Sequence, residues 1–221
     1  MIDIVPAVLP KSYGELSAKV GLVRDLVKRV QIDVTNGTYA SSTTWPYGRG
    51  DYLEETLDEY GGLPFWDEMD YEVDLLIAEP EKEIDRWIQA GVAGAIVHVE
   101  TTEEIQVIIK KLQEVHAEVG LGIKPSTSND ELYRYIDLVD FVQCMGNDQI
   151  GYHGVSLDES VYEKINHIRA RYPDLPIAVD IGVNIETAPK LIEAGATKLV
   201  SGSAIFASEN INEAIRDFKE L

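Results

Sequence analysis

Pro176-Ile-Ala-Val-Asp-Ile-Gly-Val-Asn184 and Lys198-Leu-Val-Ser-Gly-Ser-Ala-Ile-Phe206 are two apolar runs that each stop at a glycine. Between them, Ile185 to Gly195 has helical spacing, with Asn184 as the expected N-cap and Gly195 as the residue that ends the helix. A strand, a helix and a second parallel strand, with polar residues at both strand C-termini, is the unit in which α/β folds hold ligands. Asp180 is a carboxylate inside an apolar strand, where an unpaired charge is costly. Gly202 and Ser203 offer backbone N–H groups with no bulky side chain in the way, which suits a phosphate.

The same unit recurs upstream. Ile2 to Leu9 reads as a first strand, followed by a helix from Glu15 to Lys28 with Leu16, Val20, Val23 and Val27 on one face. Val30-Gln-Ile-Asp-Val34 alternates, so Gln31 and Asp33 share one face and Val30, Ile32 and Val34 the other. Strands follow at Tyr71 to Ile77, Gly94 to Glu100, Val119 to Ile123 and Phe141 to Met145. Helices are expected from Pro80 to Ala90, from a Thr101/Glu104 capping box to Ala117 with Val115 in its buried stripe, and from Asn129 to Leu138. Further helices are expected around Val161 to Tyr172 and at Asn210 to Glu220. Eight strands alternating with eight helices over residues 1–221, with no Pro-, Gly- or Ser-rich linker, predict one α/β domain, a (β/α)8 TIM barrel. A doubly wound sheet is disfavoured because no Gly-x-Gly-x-x-Gly follows the first strand.

The net charge of −20 argues against nucleic acid and anionic membranes as partners. It leaves room for a small phosphorylated ligand held by backbone amides. No run of 18 apolar residues exists, so no membrane span is expected, and the chain enters a strand directly without a signal peptide; a cytoplasmic location is the expectation. Cys144, the single cysteine, excludes an intrachain disulfide and reads as a buried small hydrophobe.

Active-site side chains of a barrel sit at strand C-termini. Asp33, Asp74, His98 and Asp180 all qualify. Two carboxylates facing each other across the mouth can move a proton on opposite faces of one carbon. Grouped oxygen ligands can also hold a hard divalent cation. His116 and His167 read as surface residues. Trp45, Arg49 and Trp66, in the long connection after the second strand, are candidates for a lid or a contact in a homo-oligomer.

These motifs resemble the ribulose-phosphate 3-epimerase family over nearly the whole chain. Pro6-Ala-Val-Leu9 resembles the opening strand, and Gln31-Ile-Asp-Val-Thr-Asn-Gly37 is similar to the family's His-x-Asp-Val-Met-Asp-Gly. Asp74-Leu-Leu-Ile-Ala-Glu-Pro80, Val97-His-Val-Glu100, Ile123-Lys-Pro-Ser-Thr127, Gly151-Tyr-His-Gly154, Val179-Asp-Ile-Gly-Val-Asn184 and Gly202-Ser-Ala-Ile-Phe206 also match. The resemblance implies an isomerase of a phosphorylated ketose, with Asp33 and Asp180 as acid and base acting through an enediolate. An anion site is expected around Gly182, Gly202 and Ser203, with Gly154 as a lid contact.

The departures fall on chemistry. The family's two metal-binding histidines are Gln31 and Asp74, its opening serine is Ala7, its strand-three methionine is Leu76, and its second-strand Met-Asp pair is Thr35-Asn36. The glycine after the strand-seven aspartate is Ile181, and His153 stands where the family has glycine, in a sixth loop that carries one extra residue. Asp33, Asp74 and Asp180, with Gln31, form an all-oxygen set that suits Mg²⁺ or Mn²⁺ rather than Zn²⁺, or no metal at all. Two other readings stand beside the epimerase: a homologue that binds a phosphorylated ligand without turnover, and a sugar-phosphate decarboxylase or aldolase. The second is disfavoured because related decarboxylases carry Asp-x-Lys-x-x-Asp on strand three, and residues 74–79 contain no lysine.

Overall fold

The computed structural model describes residues 2–48 and 52–221. Strands β1 (Asp3–Val8), β2 (Arg29–Val34), β3 (Asp70–Leu75), β4 (Gly94–His98), β5 (Glu118–Ile123), β6 (Phe141–Met145), β7 (Ile177–Asp180) and β8 (Lys198–Ser201) pair in chain order. All pairs are parallel, and β8 closes on β1. Around them lie α1 (Tyr13–Val23), α2 (Leu53–Tyr60), α3 (Ile84–Gln89), α4 (Ile105–Glu114), α5 (Asn129–Tyr133), α6 (Ser160–Arg171), α7 (Ala188–Ala194), α8 (Ser203–Phe206) and α9 (Ile211–Lys219). The expected (β/α)8 barrel is therefore the architecture found, with one helix more than the sequence pattern suggested. The short α8 opens directly after β8, ahead of the closing helix. No helix among the described residues is long and apolar enough to cross a membrane.

Strand alternation sorts the side chains. Val30, Ile32 and Val34 join the large core between sheet and helices, whereas Gln31 and Asp33 are buried on the other face, inside the barrel. The interior has three levels. Arg29, Glu72, Glu118 and Lys198 pair at the N-terminal end, where Arg29 Nη2 donates to Glu118 Oε1 at 3.1 Å and Lys198 Nζ to Glu72 Oε2 at 2.5 Å. Val5, Ala7, Ile96, Phe141, Ala178 and Val200 form an apolar middle. Above it, polar residues return.

Local capping explains where the helix boundaries moved. Ser12 accepts the N–H of Glu15 at 3.2 Å, so α1 opens ahead of Glu15. The Asn184 side chain accepts the N–H groups of Glu186 and Thr187 at 2.9 and 3.0 Å. It caps a turn that runs into α7, which begins at Ala188 rather than at Ile185. Gly195 closes that helix as expected, with φ at 116°. The Thr101/Glu104 capping box does not form. Thr101 Oγ1 donates to the carbonyl of His98, and the N–H of Glu104 goes to Thr102 Oγ1. Helix α4 stops at Glu114, leaving Val115 outside the buried stripe and 49% exposed.

Trp45 is no lid residue. It is fully buried, edge-on to Trp87 (6.1 Å, 86°) and to Tyr13 (5.9 Å, 68°), where the long connection folds down between barrel and helices. Trp66 is 66% exposed but lies just before β3, at the end of the barrel opposite the polar mouth. Arg49 lies outside the described residues. Cys144 is buried in β6, with its thiol pushed up to about 12 by burial, and His116 and His167 are exposed.

Candidate active site

The C-terminal ends of the strands bring Asp33, Asp74 and Asp180 together. Asp33 on β2 and Asp74 on β3 are direct register partners, and Asp180 ends β7. One carboxylate oxygen from each lies within 4.8 Å of the other two, and all three residues are buried. Gln31, one pleat below Asp33 on the same face, bridges the barrel: its Nε2 donates to Asp33 Oδ1 at 2.6 Å and to Asp180 Oδ2 at 3.3 Å.

Asp74 has its own support. Its Oδ1 meets His98 Nε2 at 2.8 Å, and its Oδ2 accepts from Gln143 Nε2 at 3.0 Å. The imidazole reaches this position because residue 122 is glycine: a Cβ there would lie 2.6 Å from the ring. Gln143 is a site residue that sequence reasoning missed. The signal was present, since an amide between Phe141 and Met145 in a buried strand must face the barrel interior.

Electrostatics separates these groups. Burial raises the Asp33 carboxyl well above its ordinary value, and the charges of Asp180 and Asp74 raise it further. Asp180 is lifted to about 7, first by burial and then by Asp74, against the opposing N–H of Ile181 and amide of Gln31. Burial works against an imidazolium at His98, yet the neighbouring Asp74 carries its titration above the ordinary histidine value. Near neutral pH the Asp33–Asp180 pair therefore holds a proton that a modest change can move.

The donors are all oxygen. The set is the three carboxylates of Asp33, Asp74 and Asp180; Gln31 Oε1 is buried without a hydrogen-bond partner among the described residues, while the nitrogen of the same amide is the atom turned to Asp33 and Asp180. Such a set fits a hard divalent cation, and the His98–Asp74 contact is the kind of outer support that orients a metal-binding carboxylate.

Above these groups lies a cavity lined by Ala7, Asp33, Asp180, Gly182, Gly202 and Ser203, with His153 and Gly154 at its rim. Four of the predicted anion-site residues thus share one cavity with the two aspartates. The N–H groups of Gly182, Val183, Gly202 and Ser203 donate to no protein acceptor among the described residues. Gly182 has φ of 72°, and a Cβ there would lie 2.4 Å from the backbone nitrogen of Leu157, so the turn requires glycine. Its neighbour Ile181 also has a positive φ, 76°, an unusual conformation for a β-branched residue. The Ile181 side chain packs beside Leu76, Met145, Ile150 and Ala40, an apolar cluster over the carboxylates.

The cover comes from two loops that sequence reasoning did not pair. Ser42 Oγ donates to the carbonyl of Gly151 at 2.7 Å, and the hydroxyls of Ser41 and Tyr152 meet at 2.7 Å. On the other flank Tyr39 Oη donates to Glu100 Oε2 at 2.9 Å, beneath Lys124 Nζ at 3.9 Å from the tyrosine ring.

Fold and site together define a (β/α)8 barrel with a buried carboxylate cluster at its C-terminal mouth, the end where barrel enzymes carry their chemistry. The chain belongs to the ribulose-phosphate 3-epimerase family, which it matches over residues 3–206. It is 29% identical to the ribulose-phosphate 3-epimerase of Bacillus subtilis over 228 residues, covering 99% of each chain. It is also 29% identical to the chloroplastic ribulose-5-phosphate-3-epimerase of Arabidopsis thaliana, covering 99% of this chain and 76% of the relative. Among solved structures, a 3-hexulose-6-phosphate synthase superposes with a TM-score of 0.70 at 19% identity, covering 100% of this chain and 99% of the other. At that identity the likeness speaks to the fold alone.

Proposed function

We propose that this protein epimerises a phosphorylated ketose, of the ribulose 5-phosphate class, at the carbon next to its carbonyl. The observation that carries the reading is the Asp33–Asp180 pair: two buried carboxyls on strands β2 and β7, bridged by one amide, one of them titrating at about 7. A base and an acid so matched to neutral pH can exchange roles in every turnover.

In the forward direction the ionised carboxylate of the pair removes the proton from the substrate carbon, and an enediolate forms. The protonated partner then delivers its proton to the opposite face of that carbon. The pair ends with its protonation reversed, ready for the other epimer. Gln31 holds both carboxylates through one amide group, so their spacing is set together. The apolar cluster of Leu76, Met145, Ile150 and Ile181 keeps bulk water from the intermediate. At the far end of the cavity, the free amides around Gly182, Gly202 and Ser203 bind the phosphate, with Gly154 on the covering loop.

Asp33, Asp74 and Asp180 would hold a divalent cation, with oxygen chemistry favouring Mg²⁺ or Mn²⁺ over Zn²⁺. When bound, such a cation stabilises negative charge on the substrate oxygens. The carboxyls remain the proton carriers.

The test is incubation with D-ribulose 5-phosphate in D₂O, with and without Mn²⁺. Deuterium entering the substrate carbon, together with appearance of the epimer, is the expected outcome. If no pentulose phosphate exchanges or converts under either condition, the protein is a binder and not an epimerase.

A further inference from the structure

The strand ends account for the amides of the cavity but not for the imidazole at its rim. His153 lines the same cavity as Asp180, Gly182, Gly202 and Ser203. Its Nδ1 lies 3.7 Å from the point that a Cβ on Gly202 would occupy, directly over the missing side chain. Among the described residues His153 makes no hydrogen bond and no ion pair. The loop that carries it is nonetheless held in place, because the two preceding residues are the ones tied down by Ser42 and Ser41. A polar ring is thus fixed above a set of unused N–H donors and left without a partner of its own.

We infer that His153 is a direct ligand of the substrate phosphate, a side-chain donor added to the backbone amides of Gly182, Gly202 and Ser203. The inference rests on the sugar-phosphate reading and extends it to a residue that this chain places at the phosphate end.

The charges around the ring agree. Lys19, Glu15 and Lys11, in and just before α1, are the charges that act on His153; the cavity it lines holds Asp180 at the end of β7 and the uncharged Gly182, Val183, Gly202 and Ser203 of the loops after β7 and β8. Glu15 is already engaged by Lys19 at 3.0 Å and by the backbone N–H of Lys11 at 2.9 Å. Partial burial and then the Lys19 charge hold the imidazole below its ordinary value, so it is neutral in the free protein at pH 7.5. A bound phosphate dianion reverses that balance. The neutral ring takes one proton from solvent and donates a charge-assisted hydrogen bond to a phosphate oxygen. In a chain with net charge −20, a cation formed only when the anion arrives adds local attraction without a standing charge.

Calorimetry of inorganic phosphate and of ribulose 5-phosphate binding at pH 7.5, in buffers of different ionisation enthalpy, tests this on the wild type, His153→Ala and His153→Gln. The wild type is expected to take up a proton with either ligand. His153→Ala should weaken binding about 10-fold or more and lose the buffer dependence. His153→Gln, which keeps a neutral donor, should recover part of the affinity but no proton uptake. In turnover the alanine variant should show a raised KM with kcat within about twofold, since binding is lost equally from ground and transition states. Unchanged phosphate affinity and proton uptake in His153→Ala, or no phosphate binding by the wild type, would overturn the inference. Phosphate binding that depends on His153 in a protein that never exchanges substrate hydrogen would leave the inference standing while the epimerase reading falls.

Discussion

The barrel buries charge at both ends, and the two ends solve the problem differently. At the N-terminal end, the buried Glu72 carboxylate meets Lys198 directly and Arg29 at 3.4 Å, and Arg29 also holds Glu118. Cations and anions alternate, and Lys198 lies 4.0 Å from the Phe141 ring centroid. At the C-terminal end, carboxylate oxygens of Asp33, Asp74 and Asp180 crowd within 4.8 Å of one another, and among the described residues the only titratable donor in contact with them is His98 on Asp74. The first cluster is neutralised by its own partners. The second keeps surplus negative charge, which adds to burial in raising carboxyl titration and leaves oxygen atoms free. Compensated charge is architecture; uncompensated charge in the same barrel is where a proton, a cation or a substrate belongs.

Four probes test that contrast, the most damaging first. Asp33→Asn or Asp180→Asn removes a proton carrier with little change of shape, so turnover should fall by roughly 10²–10⁴-fold while sugar-phosphate binding survives. Steady-state kinetics beside a binding titration will show whether the two separate. Asp74→Asn should cost less, unless the cation is required for turnover.

At the opposite end, Lys198→Met leaves Glu72 buried with only Arg29 nearby. A loss of about 3 kcal/mol in urea unfolding is expected, with kcat of the folded fraction unchanged. A fall in kcat larger than the loss of folded protein would mean that the two ends of the barrel are coupled.

The third probe is pH. Asp180 titrates at about 7 in the folded chain and near 3.9 when unfolded. A raised carboxyl stabilises the fold fully below the unfolded value, and that contribution disappears as pH rises through the folded value. In EDTA, the Asp180 contribution should therefore drop by about 2–3 kcal/mol between pH 5 and 8, and Asp180→Asn should reduce the slope without abolishing it, because burial still raises Asp33. Mg²⁺ or Mn²⁺ should restore alkaline stability in the wild type but not in the variant, and purified protein should carry no stoichiometric Zn²⁺. Zinc held by Asp33 and Asp180 would defeat the oxygen-donor argument.

The smallest effect is at Ile181. Its positive φ costs roughly 1–2 kcal/mol for a residue other than glycine, but Ile181→Gly loses apolar contact with Leu76 and Met145 and adds freedom to the unfolded chain. Thermal unfolding should change by less than about 1 kcal/mol in either direction. A large destabilisation would show that the apolar cover over the carboxylates contributes to the fold as well as to the site.

What was legible in the sequence followed from short-range rules. Period-two alternation put Gln31 and Asp33 on one face, and barrel closure then sent that face inward. A carboxylate at the end of an apolar run marked Asp180, and glycines after β7 and β8 marked the free amides. These inferences need only the local chain and the general geometry of a parallel barrel.

Other features depended on partners far away in sequence. Trp45 reads as a lid residue until Tyr13 and Trp87 enclose it. The pairings of Asp74 with His98 and Gln143, and of Lys198 with Glu72, join strands 24 to 126 positions apart. Composition counts such charges without saying which are neutralised. The sequence alone determined a parallel barrel with carboxylates at its mouth, because side-chain periodicity is a property of each strand. Only the tertiary structure decided which carboxylates stay uncompensated, because a buried charge takes its energy from groups within a few ångströms, whatever their distance along the chain.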